Sequence, residues 1–290
     1  MPPTFPLAWG ERTYIMGIIN LTPDSFSGDG LAGYGDPLGA ALAQARAFVA
    51  AGADILDVGG ESTRPGSTPL SEQEELARVV PVVRALAGEV DAILSVDTYK
   101  AGVARAALAA GAHWINDVWG LRADPDLARV AAETGAPLVL MHNRSRPADA
   151  ELQARLGGRY VGVSYANLLT DVRRELLESV DLAHAAGISD EKIMLDPGIG
   201  FGKTVEQNLE LVDRLGEIRA LGYPLLLGTS RKGFIGYTLN LPVDQRLEGT
   251  AATVAVGITR GADIIRVHDV AAMTRVARMT DAIVRRGKAG

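Results

Sequence analysis

An eightfold alternation limits how this chain can fold more than any other feature. A short run of β-branched and aliphatic residues is followed by a polar, glycine-containing loop, then by an Ala/Leu/Arg stretch of helical period. Strands are predicted at residues 14–19, 54–58, 92–96, 113–116, 137–141, 193–195, 224–227 and 263–267, each followed by a helical segment. One phrase leads into three of them: Ala51-Gly-Ala-Asp54, Ala110-Gly-Ala-His113 and Arg260-Gly-Ala-Asp263. There glycine is expected to end a helix in a left-handed cap before the chain turns into the strand. No Pro/Ser-rich or charged linker interrupts the series, so residues 1–290 are expected to form a single domain. Right-handed βαβ crossovers repeated eight times close an α/β structure into a (β/α)8 barrel of the TIM type. The alternative is an open doubly wound sheet, which shows the same alternation and differs in strand order. Loops after the predicted strands are long and rich in Asn, Asp, Arg, Lys and Gly, whereas those before them are short. In barrels, chemistry concentrates at that end.

Composition removes several classes of function. A net charge of -6, with no clustered Lys/Arg stripe, argues against a nucleic-acid partner. Without cysteine there is neither a disulfide framework nor a thiolate metal site. The N-terminal stretch has no basic segment followed by an apolar one, and no apolar run approaches the roughly 20 residues of a membrane span. A cytoplasmic protein without a membrane partner is the expectation. No histidine pair has zinc-site spacing and no Gly-x-Ser-x-Gly elbow occurs, so zinc and serine hydrolases are set aside.

The polar strand ends carry the candidate chemistry. Asn20 follows the first strand, and Gly59-Gly-Glu-Ser-Thr-Arg64-Pro-Gly66 follows the second, with an arginine fork suited to phosphate or carboxylate. Such a glycine-flanked loop can act as a lid. The third strand ends in Ser95-Val-Asp97, the fourth in Ile115-Asn116-Asp117 and the sixth in Leu195-Asp196. A single Asp at a strand end is commonly a helix cap, but three on one rim, with an amide, suit the edge of a flat, nitrogen-rich heterocycle. Paired carboxylates also fit glycoside hydrolysis, a reading that the surrounding cations weaken. Gly198-Ile-Gly-Phe-Gly202 lacks the P-loop pattern. Gly228-Thr-Ser-Arg-Lys232 and Arg266-Val-His268 set cations beside the last two strands, where barrels often bind phosphate. His142 lies on the same rim without an evident partner, and His113 and His184 are given no role.

Seven segments in order, Asn20-Leu-Thr-Pro-Asp-Ser-Phe-Ser, Gly60-Glu-Ser-Thr-Arg-Pro-Gly, Ser95-Val-Asp-Thr, Ile115-Asn-Asp-Val, Asp196-Pro-Gly-Ile-Gly-Phe-Gly-Lys, Ser230-Arg-Lys and Ile265-Arg-Val-His-Asp, closely resemble the dihydropteroate synthase family between about Tyr14 and Asp269. The resemblance implies a (β/α)8 barrel, a homodimer, and the joining of 7,8-dihydropterin-6-ylmethyl diphosphate to p-aminobenzoate. It further implies that Asp97, Asn116, Asp196, Lys232 and Arg266 hold the pterin, with Asp97, Lys232 and Arg266 catalytic. Asn20, Thr63, Arg64, Arg266 and His268 would hold the diphosphate, and Asn20 would also bind Mg2+. Phe26, Thr63, Pro65, Phe201 and Lys232 would enclose p-aminobenzoate, where sulfonamides compete. Three departures from the family pattern stand out: the order Gly28-Asp29-Gly30, the lack of a second Met after Met141-His-Asn-Arg, and Gly233 where many members carry Ser or Arg. A methyltransferase using methyltetrahydrofolate would share the Asp/Asn/Asp pocket without needing the cations, and a paralogue that binds pterins without catalysis is the rival from another class.

Overall fold

The computed structural model describes residues 7–22, 36–63 and 67–285. In chain order it begins β1 (Tyr14–Asn20), α1 (Pro37–Ala50), β2 (Ile55–Gly59), α2 (Glu72–Glu89), β3 (Ile93–Asp97), α3 (Ala101–Ala109), β4 (Trp114–Asp117), α4 (Asp126–Thr134) and β5 (Leu138–Met141). A two-stranded antiparallel hairpin follows, β6 (Ala150–Gln153) with β7 (Gly157–Tyr160). The chain continues through α5 (Leu168–Ala185), β8 (Ile193–Asp196), α6 (Val205–Asp213), α7 (Leu215–Arg219), β9 (Leu226–Leu227), α8 (Gly233–Leu239), α9 (Leu247–Thr259), β10 (Ile264–Val267) and α10 (Val270–Val284).

Eight strands form one parallel sheet in the order β8-β5-β4-β3-β2-β1-β10-β9. The two ends meet, because Leu195 and Leu225 form a parallel bridge and Leu195 N donates to Pro224 O (2.9 Å). The open doubly wound alternative is thereby ruled out: a strand order that returns to its own start is a barrel. All eight predicted strands are present, six of them starting one or two residues later than the apolar runs suggested.

The recurring Gly-Ala phrase explains part of that shift. Gly52, Gly111 and Gly261 have φ values of +99°, +115° and +101°. In each case the following alanine donates back into the helix, Ala53 to Phe48 (2.9 Å), Ala112 to Ala107 (2.9 Å) and Ala262 to Gly257 (3.0 Å), which is the bond pattern of a Schellman cap. The next residue then turns its side chain to the neighbouring strand: Asp54 accepts from Ile15 N, His113 from Leu94 N and Asp263 from Leu225 N, each at 2.9 Å. These residues tie adjacent strands together just before the ladder begins. They are structural, and His113 takes no part in the rim chemistry.

Period-two alternation sorts the strand side chains into two cores. Outward positions pack under the helices. Inward, at the N-terminal end, Met16, Ile55, Ile93, Trp114, Val139, Met194, Leu226 and Ile264 contribute one buried apolar side chain per strand, joined by Leu7 and Tyr14. The barrel is thus stoppered below, and only its C-terminal mouth is left for a ligand.

Candidate active site

The same parity, carried two residues further along each strand, changes character. It gives Ile18, Asp57, Ser95, Asn116, Met141, Asp196, Gly228 and Arg266, and two residues beyond those it reaches Asn20, Asp97 and His268. Polar groups at this depth need partners, and most have them. Arg266 donates from Nε to Asp57 Oδ2 (2.6 Å) and from Nη2 to Asp97 Oδ2 (2.6 Å), while Asn116 Nδ2 donates to Asp57 Oδ2 (2.9 Å). Asp57 is wholly buried and serves as the counter-ion that fixes both Arg266 and Asn116. Its other oxygen, Oδ1, and the hydroxyl of its cross-strand neighbour Ser95 are buried without a protein partner. Asp196 is held through one oxygen, to which Gly198 N donates (2.7 Å), so the second remains for a ligand.

Two carboxylates sharing one guanidinium make an electrostatically uneven floor. Burial pushes the Asp97 carboxyl up to about 7, against the pull of Arg266, with Asp57 adding repulsion. Asp196 is also raised by burial, opposed by Lys232. Burial pulls the Lys232 amine down to about 8, with Asp196 holding it up and Arg266 pressing it lower. Arg266 remains a cation, since Asp57 and Asp97 outweigh the burial that would lower it.

Lys232 reaches across the mouth, donating to Ile199 O with its ammonium 4.7 Å from the Phe201 ring centroid. Its neighbour Arg231 has φ +55°, a left-handed conformation that costs a non-glycine residue strain. Surrounding groups impose it: Arg231 N donates to Thr250 Oγ1 (3.1 Å), its carbonyl accepts from Arg246 Nη1 (2.9 Å), and its guanidinium forms a fork with Asp269 (2.9 and 2.6 Å). Ser230 accepts from the His268 backbone N–H (3.1 Å) and sits 2.9 Å from Nδ1. With the hydroxyl donating to Nδ1, the imidazole proton lies on Nε2, the arrangement an anion ligand needs.

A depth-graded pocket of carboxylates, an amide and cations at a barrel mouth has known counterparts. The sequence pattern of the pterin binding enzymes matches residues 16–268. A dihydropteroate synthase of Clostridium beijerinckii is 52% identical over 278 residues, covering 96% of either chain. A Clostridium difficile dihydropteroate synthase structure, described with pteroic acid, superposes with a TM-score of 0.86 at 47% identity, covering 97% of this chain and 100% of that one. One from Yersinia pestis, with a sulfonamide drug complex, gives 0.85 at 43% identity and 94% coverage of each. The chain belongs to the pterin binding enzymes, and within them to the dihydropteroate synthases. Its activity is dihydropteroate synthesis, a transferase reaction.

Within this dihydropteroate synthase framework, Asn20, Asp97, Asn116, Asp196, Lys232, Arg266 and His268 all come to the mouth on inward-facing positions or in the loop after β9, and Phe201 lies under Lys232. Thr63 is half-buried at the edge of the second loop. Phe26, Arg64 and Pro65, like Gly28, Asp29 and Gly30, lie outside the described residues. Asp117 does not join the ring. Its odd parity turns it outward, where it accepts from Trp119 N (2.8 Å) and Leu121 N (2.6 Å) and closes a turn, a local structural role although not that of a helix cap. Arg231, one of the two cations beside the Gly228 turn, is committed to Asp269.

His142 does have partners, Lys203 and Glu175, both distant in sequence. Asp57 is the functional residue that sequence reasoning passed over, because it lies inside the apolar run Ile55-Leu-Asp-Val. Its place two residues above the strand's stopper residue was the available signal. Gly233 is explained by packing: a Cβ there would run into the Gly158 carbonyl of the β6–β7 hairpin.

Proposed function

We propose that the mouth binds 7,8-dihydropterin-6-ylmethyl diphosphate and transfers its pterinylmethyl group to the amine of p-aminobenzoate, with Asp97, Asn116, Asp196, Lys232 and Arg266 around the pterin. The observation that carries this residue assignment is the Asp57–Arg266–Asp97 bridge, which takes in Asn116 through Asp57. The oxygen of Asp196 left by Gly198 accepts from the 2-amino and ring N–H edge, Asn116 donates and accepts, and Lys232 donates to the ring carbonyl side. Arg266 uses two of its five N–H on carboxylates and keeps three for the ring face and the diphosphate.

His268, Asn20, Thr63 and Arg64 complete the anion site. Among the described residues no group of three His, Asp or Glu is placed to hold a metal. Asn20 offers one neutral oxygen at the end of β1, which suits Mg2+ bound chiefly by diphosphate oxygens and water. When bound, Mg2+ neutralises the leaving diphosphate. The chain's own residues do the rest: the C–O bond breaks with its electron pair going to diphosphate, the Asp97 carboxylate faces the ring-stabilised cation, and the arylamine nitrogen forms the new C–N bond and releases its proton to water or the departing diphosphate.

Phe26, Thr63, Pro65, Phe201 and Lys232 enclose the arylamine, and sulfonamides compete there. The functional unit is a homodimer. Its support is the set of exposed apolar side chains on two packed helices, Val256 on α9 and Met279 and Ile283 on α10. No described helix is long and apolar enough to cross a membrane. A diphosphate substrate, being highly charged, does not cross one unaided, which favours a cytoplasmic reaction. Purified protein mixed with the pterin diphosphate, p-aminobenzoate and Mg2+ should release diphosphate only when both arylamine and metal are present. Tight pterin binding without product would instead mark a binding protein.

A further inference from the structure

Lys203 is among the most deeply buried side chains of the protein, 1% exposed, and the transfer reaction does not touch it. Its ammonium has three acceptors: His142 Nδ1 (2.9 Å), Gly198 O (2.9 Å) and Phe201 O (3.1 Å). Behind it, His142 Nε2 lies 3.1 Å from Glu175 Oε2 on α5. Glu175 is gripped in turn by the Arg144 guanidinium, with Nε at 3.0 and 3.1 Å from its two oxygens, and by Arg174 at 3.1 Å. Burial would raise the Glu175 carboxyl, but His142 and Arg144 hold it well below the ordinary range, so it accepts only and His142 carries its proton on Nε2. Nδ1 therefore accepts, and the three N–H of Lys203 meet three acceptors. Burial pulls the Lys203 amine well below the usual lysine range and Asp196 opposes it, but the acceptor set fits the ammonium.

An apolar side chain would fill the same volume. What the ammonium adds is control over the direction of two carbonyls at the ends of the Gly198–Phe201 turn. Between them, Ile199 O faces the other way and accepts from Lys232 in the mouth. The turn is held between two lysines, one below and one in the site. Glycines let it lie this close to the loop after β5: a Cβ on Gly198 would strike the His142 carbonyl, and one on Gly202 the Arg144 backbone.

We propose that Lys203 is a positioning residue that sets the Ile199–Phe201 wall of the arylamine pocket, through a buried Lys203–His142–Glu175 relay anchored on α5. It rests on the assignment of Phe201 to p-aminobenzoate and deepens it. The pterin contacts are coupled more weakly, because Asp196 is hydrogen-bonded to Gly198 N and meets Lys203 only through its charge.

Steady-state kinetics on Lys203→Met and Glu175→Gln tests the relay, with Phe201→Leu as the control for the assignment. Lys203→Met should raise the arylamine KM about tenfold or more while the pterin diphosphate KM and kcat stay within about threefold, and Glu175→Gln should repeat the pattern more weakly. If Phe201→Leu leaves the arylamine KM unchanged, the assignment fails and takes the relay's role with it. If Phe201→Leu raises that KM but Lys203→Met moves both substrates' KM values together or moves neither, the assignment stands and the positioning role is overturned. Failure of both relay variants to fold would make the network purely structural and overturn it as well.

Discussion

Asp97 must hold a charge where burial and a neighbouring carboxylate resist one, and Arg266 opposes them. Replacing Asp97 with Asn keeps the shape and removes the charge facing the developing cation. Turnover should fall by about 10²–10³ while pterin affinity, measured by calorimetry, changes only about threefold. The pH profile follows from two groups in opposite states. Asp97 is charged above about 7 and Lys232 is protonated below about 8. The kcat/KM for the pterin diphosphate should therefore fall on either side of a narrow optimum between those values. Asp57→Asn removes a repulsion that raises Asp97, so the acid limb should move to lower pH while the alkaline limb stays. An unmoved acid limb would mean that another group sets it. At this scale the sequence was legible where a polar residue ends a strand, as with Asn116, Asp196 and Arg266. It was not legible where the meaning lies in a pairing: Asp57 meets Arg266 across 209 positions, and His142 meets Lys203 across 61.

The strands and their glycine-capped approaches could be read because each is written locally, in apolar alternation and in the Gly-Ala phrase. Gly135 and Gly111 separate the two costs that such caps avoid. At Gly135, which ends α4 with φ +68°, a Cβ would meet nothing within 4 Å, so Gly135→Ala should cost only the left-handed strain, about 1–2 kcal/mol by urea unfolding. At Gly111, φ is +115° and a Cβ would collide with Ala87 of α2, so Gly111→Ala should cost distinctly more, about 2–4 kcal/mol. Equal costs would show that the packing is soft there. The β6–β7 hairpin escaped the sequence reading because its strands are only four residues each and the second opens with Gly157 and Gly158, so they carry no apolar face to alternate. Its position is set from outside, by Arg246, which donates to Leu156 O (2.9 Å) as well as to Arg231 O.

Assembly is read least directly from one chain. Light scattering should give twice 30.5 kDa, and Met279→Glu combined with Ile283→Glu should halve it, since charges on that face would have to be desolvated in a dimer. A monomeric parent protein, or an unchanged mass in the variant, would remove α10 as the contact.

The stopper formed by one side chain from each barrel strand has a further consequence, for kinetics. A tube sealed at one end has a single opening for entry and exit, so depth dictates sequence: the pterin diphosphate must arrive before the arylamine, and an arylamine that docks early finds its back wall missing. Initial-rate plots against both substrates should intersect rather than run parallel. The joined product, occupying both depths, has to clear the opening whole, and a pterin without a leaving group, once covered by an arylamine, is trapped as an unproductive ternary complex.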